Sequence, residues 1–150
     1  MNINVKWMKL ALLQAYKALL KNEVPVGAVI VRNGKIISRA YNMKETKNVV
    51  TKHAELIAIE KASRKIANWR LVDCDIYITL KPCPMCASAI KQARIRHVYY
   101  GTSSYNNEES NIVNKIFTNK DSNCIVNMTG GILKEDCNNI ITEFFKSRRD

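Results

Sequence analysis

A chain of 150 residues that is 47% hydrophobic has room for one domain, residues 1–150, with a real core, and is too apolar to stay disordered. Its 24 Lys and Arg against 13 Asp and Glu leave a formal charge of +11, which attracts polyanions: nucleic acid or an anionic membrane surface. No segment is apolar for long enough to span a membrane and none has a signal-peptide pattern, so the expected compartment is the cytoplasm, where thiols stay reduced.

The first expected element is an amphipathic helix over about Trp7 to Lys21, with Met8, Leu12, Ala15 and Leu19 on one face. "VPVGAVIV" (24–31) follows as a buried strand, nearly all apolar and rich in β-branched residues. Asn33-Gly34 is a strong hairpin signal, and "IISRAYN" (36–42) returns as the second strand. After a polar stretch to about Val50, Ala54, Ile57, Ala58 and Ala62 form a helical stripe, with Thr51 as the expected N-cap. "CDIYITL" (74–80) reads as a strand, "PCPMCASAIKQARI" (82–95) as a helix with Cys83 at its cap and Pro84 in its first turn, and "HVYYG" (97–101) as another strand. A weak helix (110–117), a strand (124–128) and a last helix from Lys134 to Arg148 complete the chain. This order predicts one α/β layered domain around a mixed sheet opened by a hairpin. Five cysteines is an odd number; Cys74, Cys124 and Cys137 read as small buried side chains.

Within "KPCPMC" (81–86), Cys83 and Cys86 are three apart and share one face of a helical first turn. The positive end of that helix favours thiolate, which suits a redox dithiol, a structural zinc site and a catalytic metal site alike. The upstream "KHAEL" (52–56) discriminates between them. His53 and Glu55 followed by P-C-x-x-C is the pattern of zinc deaminases. One His and two Cys are three ligands, leaving a tetrahedral zinc one open position for water. Glu55, outside the ligand set, is then free to move protons between water, a ring nitrogen and leaving ammonia. A structural zinc needs a fourth ligand, and no other cysteine or His97 shows paired ligand spacing. His97 reads as a strand-end residue. One difficulty is geometric: positions two apart on a helix point roughly 200° from each other, so His53 and Glu55 serve one centre only at the helix end.

The segments "NEVPVGAV" (22–29), "AYN" (40–42), "HAE" (53–55), "WRLVDCDIYITLKPCPMCASAI" (69–90) and "GGIL" through "FFKSRR" (130–149) occur here in the order in which bacterial tRNA-specific adenosine deaminases carry them. From about Trp7 to Arg149 the chain resembles that family, part of the cytidine deaminase-like superfamily. H-A-E and P-C-x-x-C alone indicate only the superfamily; the first and last segments narrow it. The resemblance implies a three-layer α/β/α fold with a mixed central sheet, a homodimer, one zinc per chain, and deamination of adenosine to inosine at the wobble position of a tRNA anticodon. It matches His53, Cys83 and Cys86 to the zinc ligands and Glu55 to the proton shuttle. It also matches Asn42 to a residue that holds the base, and Phe144 and Phe145 to aromatics beside the flipped nucleotides. Lys146, Arg148 and Arg149 would hold phosphates of the anticodon stem-loop. One of the two phenylalanines is expected to be core packing of the final helix.

Two positions depart from the family pattern. Lys81 stands where the family usually has Glu, and is expected either to favour the thiolates or to face solvent. The loop "TSSYNNEES" (102–110) has Ser104 at a usual Asp and carries no Lys or Gly. Rival readings are a small-molecule deaminase acting on guanine, cytosine or cytidine, a non-catalytic zinc-stabilised RNA-binding subunit, and a thioredoxin-like protein. The first has no need of +11 or of the basic tail; an intact Glu55 argues against the second; the third explains only the cysteines.

Overall fold

The computed structural model describes residues 2–104, 106–120 and 124–148. Helix α1 (Ile3–Leu20) begins four residues before the expected start, because the Asn2 side chain accepts the Asn4 N–H at 2.8 Å and caps it. Trp7, Met8, Ala11, Leu12 and Ala15 are its buried stripe. Strands β1 (Gly27–Arg32) and β2 (Lys35–Tyr41) form the expected hairpin. Asn33 and Gly34 both have positive φ, 52° and 72°, as a two-residue type I′ turn requires. A bulge between Ile30 and Val31 shifts the register of the pair.

A short helix α2 (Lys44–Lys47) interrupts the polar stretch, and α3 (Ala54–Ile66) follows. The N-cap of α3 is His53, not Thr51. β3 (Cys74–Leu80) leads to α4 (Pro84–Gln92), capped by Cys83 as expected and ending short of Ile95, because Arg94 adopts a left-handed φ of 68°. Then come β4 (His97–Thr102), α5 (Asn107–Thr118), β5 (Asn127–Thr129) and α6 (Lys134–Ser147). β5 lies three residues later than predicted. In the predicted strand, Val126 donates its N–H to Phe117 O rather than to the sheet, and Ile125 is exposed. Cys74 and Cys137 are buried, whereas Cys124 is only half-buried.

The sheet order is β2-β1-β3-β4-β5. β1 runs antiparallel to both β2 and β3, and β3, β4 and β5 are mutually parallel neighbours, so the sheet is mixed. Alternation along the strands divides the core. Ala28, Ile30, Ile76, Ile78 and Val98 face a layer containing α3, α4 and α5. Val29, Val31 and Tyr77 face α1 and α6. The fold is therefore a three-layer α/β/α sandwich. Gly27 lets α1 lie against β1: a Cβ there would collide with the Ala11 carbonyl and the Ala15 N–H. No described helix is long and apolar enough to cross a membrane.

Candidate metal centre and substrate cavity

The helices α3 and α4 are brought side by side with their N-termini at the same end of the sheet. Their caps, His53 and Cys83, both have extended backbone (ψ 150° and 169°). His53 is thus outside the helix while Glu55 is in its first turn, which removes the 200° difficulty. The two groups do not radiate from one helical axis. His53 Nδ1 lies 3.4 Å from Cys86 Sγ and 3.8 Å from Cys83 Sγ, and the three ligand atoms fall within 4.8 Å of one another. Zinc at about 2.3 Å from sulfur and 2.0–2.1 Å from nitrogen in tetrahedral geometry places such atoms roughly 3.5–3.8 Å apart. The donor set fits zinc in both atom type and spacing.

The electrostatics agree. The Cys83 thiol is pushed down to about 4, first by the hydrogen bond from Cys86, with His53 adding to the effect against the penalty of burial. Cys86 is pushed up by the same hydrogen bond and by burial. Thiolate at this position is the form that a divalent cation requires. Glu55 is buried, 4% exposed, and burial is the main cause that raises its pKa above the usual carboxylate range. It is not a member of the three-ligand cluster.

A cavity of about 240 Å³ opens over these groups. Val24, Val26 and Leu80 supply apolar wall; Asn42, Glu55, His53 and Cys83 supply the polar floor; Lys44, Ser104 and Glu109 stand among its remaining polar lining. Asn42 is buried, with its Nδ2 donating to Val24 O at 3.2 Å and its Oδ1 accepting from Lys44 N at 3.3 Å. Lys81 neither pairs with the thiolates nor projects freely into solvent. Its ammonium donates to Ser110 Oγ (2.6 Å) and Asn114 Oδ1 (2.7 Å), which ties the end of β3 to α5.

Two larger grooves adjoin through shared residues. One, about 650 Å³, is lined by Ser104, Asn138, Ile141, Thr142, Phe145 and Lys146. The other, about 590 Å³, includes Lys21, Glu45, Phe145 and Arg148. Val24 borders all three spaces. Phe144 is 6% exposed and lines only the second groove, while Phe145 is 46% exposed and lines both. Arg148 lies over the Phe144 ring and donates to Asn22 O at 2.6 Å. Arg149 lies outside the described residues. Sequence reasoning missed Lys44, Glu109 and Glu23. Glu23 lies in a quoted motif without a role; the other two carry no local signal.

Residues 1–102 match the family described as cytidine and deoxycytidylate deaminase zinc-binding region. A tRNA-specific adenosine deaminase of Streptococcus pyogenes is 41% identical over 144 residues, 96% of this chain and 91% of that protein. The chain belongs to the tRNA-specific adenosine deaminase family. Family membership also holds in three dimensions. A solved structure from a study of A-to-I editing by tRNA:A34 deaminases at the wobble position of transfer RNA superposes with a TM-score of 0.82 and 36% identity. That match covers 90% of this chain and 98% of the other. A guanine deaminase from Bacillus subtilis is also 36% identical, over 71% of this chain and 69% of its own, with a TM-score of 0.64. The zinc-binding family and the His53, Cys83 and Cys86 cluster agree on zinc as the cofactor.

Proposed function

We propose that this chain hydrolyses adenosine to inosine and ammonia at the wobble position of a tRNA anticodon. The observation that carries the reading is the conjunction of a zinc-type ligand set, the buried Glu55 beside it, and a cavity that shares lining residues with grooves edged by Phe145, Lys146 and Arg148. His53, Cys83 and Cys86 would hold one zinc per chain, which would supply a water made acidic enough to serve as hydroxide near neutral pH. Glu55 accepts a proton from the attacking water and delivers it to the ring nitrogen; it then takes the second proton, from the newly added hydroxyl, and passes it to the amine as the C–N bond breaks and ammonia leaves, which restores its carboxylate. Its buried position favours a carboxyl able to give the proton back. Asn42 keeps one N–H and one lone pair beyond its internal bonds, which matches a purine edge that both accepts and donates. Val24, Val26 and Leu80 bracket the base.

A base inside a stem is stacked and paired, whereas an anticodon-loop base flips out at low cost. Phe145 offers an exposed ring to a neighbouring unpaired base, with Phe144 as its buried support. Lys146, Arg148 and Arg149 neutralise loop phosphates, and the charge of +11 steers the RNA. The protein works as one cytoplasmic, RNA-binding deaminase domain spanning residues 1–150. It pairs as a homodimer through the exposed side of α4, where Met85 is exposed and Ser88 and Ala89 are half-exposed small residues.

The test is incubation with total tRNA, an anticodon stem-loop, and free adenosine, guanine and cytidine, followed by product counting. Inosine in tRNA with slow turnover of the free compounds is expected. The likeness to a guanine deaminase favours one rival, a small-molecule deaminase. Faster turnover of guanine or cytidine than of the stem-loop would establish that rival and leave the zinc chemistry in place. Sedimentation at micromolar concentration checks the dimer; a monomer there contradicts it.

A further inference from the structure

The segment 23–26 belongs to a motif whose Glu23 has no part in the chemistry above. Yet Glu23 is a fully buried carboxylate, 0% exposed. A carboxylate is held in such a place only when its oxygens are satisfied. Glu23 Oε1 accepts the Glu45 N–H at 3.0 Å and Oε2 accepts the Thr46 N–H at 2.5 Å. Both donors are in α2, the short helix that follows Asn42. The same segment holds Asn42 twice more. Val26 O accepts the Asn42 backbone N–H at 3.0 Å, and Val24 O accepts its side-chain Nδ2 at 3.2 Å.

Residues 23–26 therefore grip residues 42–46 at both ends. Asn42, held at one grip, and Lys44, which lies between the two, are both in the lining of the metal cavity, and the Lys44 N–H closes the loop by donating to Asn42 Oδ1. A turn of four residues has little intrinsic stability, so its position depends on such anchors. The buried charge is costly unless paired, and the charge-assisted bonds to two N–H groups give α2 a defined place.

We propose that Glu23 is a positioning residue for substrate recognition, fixing α2 so that the Asn42 amide and Lys44 stay aimed into the cavity. The proposal rests on the reading that Asn42 holds the base. Glu23 does not touch the substrate; it acts through Asn42.

The experiment is a double-mutant cycle with Glu23→Gln and Asn42→Ala, read by steady-state kinetics on an anticodon stem-loop, with zinc content and amide hydrogen exchange. Gln keeps the shape of Glu but turns an NH2 toward one of the two N–H donors. With wild-type Asn42, Glu23→Gln is expected to raise KM about tenfold or more, with kcat within about threefold and zinc retained. In the Asn42→Ala background the same change should cost less than about twofold, because the residue it positions is gone. Exchange at the Glu45 and Thr46 amides should quicken about tenfold or more while α3 is unaffected. An equal cost in both backgrounds, a fall in kcat with zinc loss and unchanged KM, or unchanged exchange at Glu45 and Thr46 would each overturn the proposal. If Glu23→Gln does not fold, Glu23→Asp keeps the charge, shortens its reach and carries the same cycle. A wild-type chain inactive on every RNA overturns the parent reading, whereas an additive cycle in an active enzyme overturns this proposal alone.

Discussion

Glu55 and Glu23 are both buried carboxylates, and their surroundings give them opposite tendencies. Burial dominates at Glu55 and raises its pKa above the usual carboxylate range. Glu55→Gln removes the exchangeable proton and keeps the volume. It is expected to lower kcat by about 10²–10⁴-fold or more with KM and zinc content little changed, as metal analysis and steady-state kinetics would report. At Glu23 burial also pushes the pKa up, but hydrogen bonds from Thr46 and the Glu45 N–H outweigh it and hold the group below the usual carboxylate range. A carboxyl depressed on folding adds stability above its unfolded pKa and loses it as pH falls through the folded value. The melting temperature of the wild-type chain should therefore drop more steeply below pH 4.5 than that of Glu23→Gln. Parallel acid limbs for the two proteins would mean that Glu23 titrates no differently when folded.

At the scale of elements, the site depends on how closely helices approach the sheet. Gly27 opens β1 directly beside the Val24–Val26 wall of the cavity, and its missing Cβ is what lets α1 lie against the strand. The obstructing atoms are backbone, so they cannot swing aside. Gly27→Ala should destabilise by about 3 kcal/mol or more, seen as a lower denaturation midpoint or as insoluble protein. A loss below about 1 kcal/mol would show that α1 can shift freely. Helix α5 is placed by lysines instead. Lys81 binds Ser110 and Asn114 near its start, and Lys91 donates to Ile116 O and Asn119 O at its end. The departure at Lys81 is thus matched by acceptors on the helix that follows the divergent loop. Most element types were legible from periodicity, because an amphipathic stripe or a β-branched run is a local property. The boundaries that failed were decided by contacts. Asn2 capping extended α1, and the pairing of Val126 with Phe117 O displaced β5.

For the whole molecule, the governing quantity is the charge of +11. If it serves RNA, affinity for a stem-loop should fall as salt rises, with a log–log slope of roughly −0.7 to −0.9 per phosphate neutralised. Filter binding or fluorescence anisotropy between about 50 and 200 mM salt measures it. A flat dependence would separate the charge from substrate binding and favour a small neutral substrate. The adjacency of the cavity to two grooves suits the same long, charged partner. Val24 lines all three spaces, so the cavity and the grooves are neighbours on one face of the molecule.

The His53, Cys83 and Cys86 cluster and the neighbouring Glu55 could be singled out in the one-dimensional chain because metal and proton chemistry demand particular atoms at short spacings: His53 with Glu55, Cys83 with Cys86. Only the tertiary structure brought the two pairs together across 30 residues, with the Cys83 and Cys86 sulfurs within 3.8 Å of His53 Nδ1. It also resolved the 200° difficulty, since a cap residue takes extended backbone that the helical period does not describe. Which phenylalanine would be buried was undecidable from two adjacent identical residues; in the folded chain Phe144 is covered, with Arg148 over its ring, and Phe145 is left outside. Glu23 lay unassigned for the same reason. Its partners at Glu45 and Thr46 are 22 and 23 residues away, and a backbone N–H leaves no mark on the sequence. Chemistry that depends on residue type was therefore written along the chain, while positioning by backbone groups and packing existed only after the chain had folded.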